Sequence, residues 1–258
     1  MNLPLALLFL NALLLVTSLT YIVVPVRAQG AKTRSATDYY NRGNDRQKQG
    51  DLRGALEDYT FAINFDSQFA EAWNNRGVVW YLKGDLDNAI SDYTKAIEIK
   101  PDYAEAWSNR GNARQDRGDL DLAISDFDQA ITLNPQYTVA IYSRGTARHA
   151  KKDLDGAITD YSRAIELNSR HASAYANRGH ARKEKGDLNG ALADFDQAIK
   201  LNPRRASTWA SRGLMLLSLG RDSEAERDFS ECLKLDSGLK SSLEAHINSV
   251  KQKRAAFD

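Results

Sequence analysis

Two columns of ionisable side chains recur along the chain at a fixed step of 34 residues. One is arginine, at Arg42, Arg76, Arg110, Arg144, Arg178 and Arg212. The other is aspartate, sixteen residues later each time, at Asp58, Asp92, Asp126, Asp160, Asp194 and Asp228. A guanidinium presents a planar fork of donors that matches a carboxylate two bonds at a time. The expected chemistry is therefore a structural ladder, with Arg76–Asp92, Arg110–Asp126 and Arg144–Asp160 as its central rungs. It would tie one helix to the next, within a unit or between units. The rival reading is an anion-binding stripe of arginines, strengthened one helical turn along by Arg46, Arg114, Arg148 and Arg182. Two arginines four apart on a helix repel unless something neutralises them, and the aspartate column supplies that charge.

The remaining reactive side chains lack a catalytic pattern. His149, His171, His180 and His246 have no zinc-site spacing. A metal pair of His149 and His180 is a remote alternative to surface histidines. The single cysteine, Cys232, stands in a column of alanines and is expected to be a small core residue. No nucleophile elbow or phosphate loop occurs. The expectation is no enzyme activity, no cofactor and no metal.

Such columns need elements that hold them in register. The arginines belong to Asn-Arg-Gly or Ser-Arg-Gly triplets whose glycines are Gly43, Gly77, Gly111, Gly145, Gly179 and Gly213. Twelve, sixteen and nineteen residues beyond each glycine come alanine, an aromatic and a second small residue, as in Ala123, Phe127 and Ala130. Apolar residues three and four apart give each helix one buried stripe. A mid-helix glycine costs about 1 kcal/mol against alanine, so six of them require close helix packing. Gly-Asp-Leu at 50–52, 84–86, 118–120 and 186–188 reads as the turn between paired helices, with glycine ending one and aspartate capping the next. Pro101, Pro135 and Pro203 mark where units meet. A fixed period of this length marks a stacked array.

This pattern resembles the tetratricopeptide repeat family. The resemblance implies an all-α fold: a right-handed α-solenoid of six helix–turn–helix units plus a C-terminal capping helix. On the family's frame the units span 36–69, 70–103, 104–137, 138–171, 172–205 and 206–239. The resemblance also implies that the first helices line a concave groove for protein or peptide partners. The groove positions include Tyr40, Asn44, Asn74, Tyr81, Asn112, Gln115, Tyr142, His149, His180 and Lys183. Their amides could bond an extended peptide backbone, and their tyrosines add flat contact area. Some members grip a terminal carboxylate with lysines, an arginine and asparagines. Here those places hold Tyr40, Asn44, Asn75, Glu105 and Asn109, so that clamp is not expected.

The ends differ in kind. Residues 240–258 are expected to form a capping helix and tail, with Leu243, Ile247 and Val250 inward and Glu244, Lys251, Lys253 and Arg254 facing water. Leu214, Met215, Leu216, Leu217 and Leu219 make unit six apolar, either to receive that cap or to pair with a second copy. Residues 1–26 carry no charged side chain, and Val26-Arg27-Ala28 offers a signal-peptidase site. The reading is a signal peptide over 1–28 and a linker over 29–35. It implies export, to a bacterial periplasm or beyond. Membrane anchoring through residues 3–26 is the alternative. The chain has 35 basic and 34 acidic side chains, and loss of Arg27 makes the rest neutral, so nucleic acid is not an expected partner. Three function classes stand: a partner-binding scaffold, a self-associating structural protein joined through unit six and the C-terminal helix, and an anion or nucleic-acid binder using the arginine column.

Overall fold

A computed structural model describes residues 34–256. The expected signal or anchor segment, 1–28, lies outside the described residues. Twelve helices pair into six hairpins: α1 (Ala36–Lys48) with α2 (Leu52–Phe65), α3 (Ala70–Leu82) with α4 (Leu86–Ile99), and α5 (Ala104–Arg117) with α6 (Leu120–Leu133). They continue with α7 (Thr138–Ala150) and α8 (Leu154–Leu167), α9 (Ala172–Lys185) and α10 (Leu188–Leu201), then α11 (Ala206–Ser218) and α12 (Asp222–Leu235). A short 3-10 turn at Ser237–Leu239 leads into α13 (Lys240–Ala255). Among the described residues there is no strand. The architecture is an all-α solenoid.

Glycine sets the spacing inside each hairpin. A Cβ built on Gly111 would lie 2.6 Å from Cε1 of Phe127, and one on Gly77 would lie 2.8 Å from the same atom of Tyr93. The aromatic ring of the second helix thus occupies the volume that a side chain on the first would need. Its other contact is a small residue of the following unit: Tyr59 meets Val79, Tyr93 meets Ala113 and Tyr161 meets Ala181. One ring therefore joins a hairpin to its neighbour.

The intra-hairpin turns follow from the same chemistry. Gly50, Gly84, Gly118, Gly186 and Gly220 sit at positive φ, between 75° and 93°. Lys152 holds this place in the fourth hairpin, at φ 66°. The following aspartates cap the second helices. Asp51, Asp85, Asp153 and Asp187 accept from the amides of Gly54, Asn88, Gly156 and Gly190.

Both ends of the array are closed, by different means. Two small-residue columns on the first helices face the preceding hairpin: Ala72, Ala106, Ala140 and Ala174, then Val79, Ala113, Ala147, Ala181 and Met215. In α1 these places hold Asp38 and Asp45, both exposed, so the first hairpin offers water a polar face. At the other end α13 packs on α11. Leu243 is buried against Leu216, Leu217, Phe229 and Cys232, with Ile247 and Val250 beside it. Arg254 corrects the expectation that it faces water. It folds back to donate to the Leu217 carbonyl at 3.0 Å and to pair with Asp222 at 2.5 and 2.9 Å.

Candidate functional site

The first helices form one wall. α1 approaches α3, α3 approaches α5, α5 approaches α7 and α7 approaches α9, while the second helices stand farther apart. Closer spacing on one side makes the first-helix wall the concave one.

Arginine and aspartate hold this wall to the outer layer. Arg76 Nε and Nη2 bond the two carboxylate oxygens of Asp92 at 2.7 and 2.8 Å. Arg110 bonds Asp126 at 3.0 and 2.8 Å, and Arg144 bonds Asp160 at 2.9 and 2.6 Å. The same two-pronged pairing joins Arg42 to Asp58, Arg178 to Asp194 and Arg212 to Asp228. The six aspartates are at most 4% exposed. The third arginine nitrogen reaches the preceding hairpin. Arg110 meets Thr94 at 3.1 Å, Arg144 meets Asp128 at 2.6 Å and Arg178 meets Ser162 at 2.9 Å. Each rung from the second onward thus links two helices of one unit and one helix of the unit before.

A second arginine shares the carboxylate in four units. Arg114, Arg148 and Arg182 bond Asp126, Asp160 and Asp194 at 2.8 to 2.9 Å, and Arg46 lies 3.2 Å from Asp58. Burial pushes the Arg114 pKa down, against the pull of Asp126. Burial likewise pushes the Asp92 carboxyl up, against Arg76. The arginine column is therefore consumed by protein carboxylates, which removes the basis for reading it as an anion-binding stripe.

The expected groove residues divide into several groups. Tyr40 and Asn44 accept from the amide of Asn75 at 3.1 and 2.9 Å, and Asn44 also accepts from Tyr59 at 2.8 Å. Tyr142 accepts from Asn177 at 2.9 Å. Tyr81 donates to Asp116 at 2.5 Å, and its pKa is pushed up to about 12 by burial first and then by that carboxylate. His149 lies 3.0 Å from Glu184, which also takes Lys152. Lys183 is exposed on α9. Asn112 is half-buried on α5. Asn74 is a correction: it is fully buried, donating to Asn75 and accepting from Asn109, so it stiffens the wall rather than meeting a ligand.

Gln115 carries a buried carbonyl oxygen with no protein partner. The cause is visible in unit one, where the equivalent Gln47 accepts from the Tyr59 hydroxyl at 2.7 Å. Unit three has Phe127 there and no hydroxyl to give. His180 packs edge-on against Phe195 and lies 3.3 Å from Ser211. Its pKa is pushed down to about 4, first by burial, then by Lys183 and His149. Among the described residues no group of three or more histidine, cysteine, aspartate or glutamate side chains is placed to hold a metal ion.

The wall is also braced by residues outside the expected groove set. Asn75, Asn109 and Asn177 each bridge from one first helix to the one before, as do the Tyr81–Asp116 and His149–Glu184 pairs. The detectable signal was a separation of 35 residues, one more than the repeat.

Sequence models described as "Tetratricopeptide repeat" match residues 70–103, 104–137, 172–205 and 206–238, and one described as "TPR repeat" matches 43–84 and 145–186. Comparison with curated protein sequences returns no match. Among solved structures, MamA is similar at 27% identity and a TM-score of 0.59, over 64% of this chain and 96% of that one. PilF of Pseudomonas aeruginosa is similar at 17% identity and a TM-score of 0.72, over 84% of this chain and 97% of that one. YrrB, a TPR protein with an unusual peptide-binding site, is similar at 21% identity and a TM-score of 0.60, over 72% and 96%. The last two likenesses show the fold alone.

Proposed function

The chain belongs to the tetratricopeptide repeat family, and from that premise we propose that it is a non-enzymatic scaffold holding a protein or peptide partner along its concave wall. The observation that carries this reading is the composition of that wall. Asn75, Asn109, Asn112, Asn177, Tyr81 and Tyr142 bring amides and phenols to one continuous face. Bonds between neighbouring first helices hold several of these groups in place, so little side-chain freedom remains to be lost on binding. Amide edges such as those of Asn109 and Asn112 match the donors and acceptors of an extended backbone.

The alternative of self-association through unit six and the terminal helix is narrowed to the outer face of α13, because α13 covers Leu216, Leu217 and Phe229. A photo-crosslinking residue placed at Tyr81 or Tyr142 should capture a discrete partner that one at outer-face Lys95 does not. Equal capture from all three positions would overturn the groove reading.

A further inference from the structure

The concave wall changes character at unit five. The residue that precedes each first helix from α3 onward is aromatic in the first four junctions: Phe69, Tyr103, Tyr137 and His171. Phe69 packs on Tyr40 with ring centroids 4.8 Å apart, and His171 packs on Tyr142 at 4.7 Å. At the junction before α11 the place is taken by Arg205, and the first-helix position beneath it shrinks to Ala176. A cation therefore stands where a ring stood, beside the smallest side chain of its column.

Among the described residues Arg205 has no carboxylate partner. Its Nη1 donates to the Ser173 hydroxyl at 3.0 Å and its Nε to the Ser207 hydroxyl at 3.3 Å. The contrast lies within the same wall. Lys100, at the junction before α5, is neutralised by Glu71 at 2.9 Å, and Glu71 occupies in α3 the place that Ser173 occupies in α9. His180 lies in the field of Lys183 and Arg205 as well as of Glu184. Glu184 is already shared by His149 and Lys152. The field of Arg205 reaches both Tyr142 and His180. The Ser173 hydroxyl accepts from Arg205 and carries a proton of its own.

We propose that Arg205, with the Ser173 hydroxyl, forms an oxyanion subsite of the concave groove, taking a carboxylate or phosphate group of the bound partner. A guanidinium held by two serine hydroxyls presents its remaining donors as a fork, the geometry that carboxylate and phosphate accept. The subsite rests on the groove reading, yet it is testable without knowing the partner.

The test is a titration of the full chain with two probes, inorganic phosphate and N-acetyl-aspartate amide, followed by the His180 ring resonances in nuclear magnetic resonance. Bound anion should raise the His180 pKa, because it offsets the cations around the ring. Arg205→Gln should weaken this response about tenfold. Arg204→Gln, one residue away with the same loss of charge, should leave it intact. A response to phosphate alone assigns a phosphoryl group; a response to both assigns any oxyanion, carboxylate included. No response to either probe, or equal weakening by Arg204→Gln, overturns the subsite. Either failure leaves the groove reading standing, because that depends on crosslinking from Tyr81 and Tyr142.

Discussion

At the scale of single residues, the ladder is a set of buried charges whose removal is asymmetric. Asp126 is 1% exposed and accepts from both Arg110 and Arg114. Asp126→Ala strands two guanidinium groups among helices, and breaking a buried pair from one side costs about 3 kcal/mol. Glu98→Ala removes an exposed bridge from Lys95 and should cost under about 1 kcal/mol. Urea unfolding midpoints of the two variants check the contrast, and equal midpoints would contradict it. His180 gives the corresponding pH prediction. Its neighbours in charge are Lys183, His149, Glu184 and Arg205. Its folded pKa, about 4, lies below its unfolded value, so protons favour the unfolded chain. The stability it contributes is full above about pH 6.5 and declines as pH falls toward 4. His180→Gln should flatten the dependence of the unfolding midpoint in that window relative to the parent chain. A parallel decline in both proteins would show that other groups govern it.

At the scale of the helix pair, glycine is required at two kinds of site for different reasons, and opposite exchanges there should have opposite effects. Gly111 is helical and faces the Phe127 ring, where a methyl would sit 2.6 Å from an aromatic carbon. Gly111→Ala gains about 1 kcal/mol of helix propensity but overpacks a full interior, at a cost of about 1–3 kcal/mol, so a net loss is expected. Lys152 needs the reverse change. It adopts φ 66° where five other turns carry a glycine, and it pairs only at the surface with Glu184. Lys152→Gly should stabilise by about 0.5 kcal/mol after the lost surface pair is counted. Thermal unfolding of the two variants should show shifts of opposite sign. These positions also show what the sequence could reveal. Columns such as Gly111 and Phe127 are legible because each unit meets the same neighbours and keeps the same residue. Asn74 was not legible: its groove assignment came from the family's frame. That frame cannot tell that a wall between Asn75 and Asn109 has closed over the side chain. Arg205 was missed for the opposite reason, since its meaning lies in breaking an aromatic column rather than in repeating one.

At the scale of the whole array, a stack of like units has two faces without neighbours, and this chain closes them by unrelated means. The amino-terminal face is closed by substitution: Asp38 and Asp45 replace the alanine and apolar columns that later units bury. The carboxy-terminal face is closed by addition, with α13 laid over Leu216, Leu217 and Phe229 and fastened by Arg254 to Asp222 and the Leu217 carbonyl. The two solutions predict different responses. Leu243→Asp places a charge inside the last apolar cluster and should detach α13, leaving the final unit open to a second copy. Sedimentation of that variant should become concentration-dependent, and its first thermal transition should fall below that of the parent. Arg254→Ala removes only the fastening and should lower the transition while leaving the protein monodisperse at the same concentration. Asp45→Val changes one exposed side chain and should leave internal packing untouched, so its thermal transition should move by less than about 0.5 kcal/mol equivalent. It nevertheless restores an apolar site on a face shaped to receive a helix. Association without destabilisation is the expected signature, since nothing inside the fold changes. If Asp45→Val stays monodisperse while Leu243→Asp associates, polarity at the first unit is not what keeps that end free, and the shape of the face must do so instead.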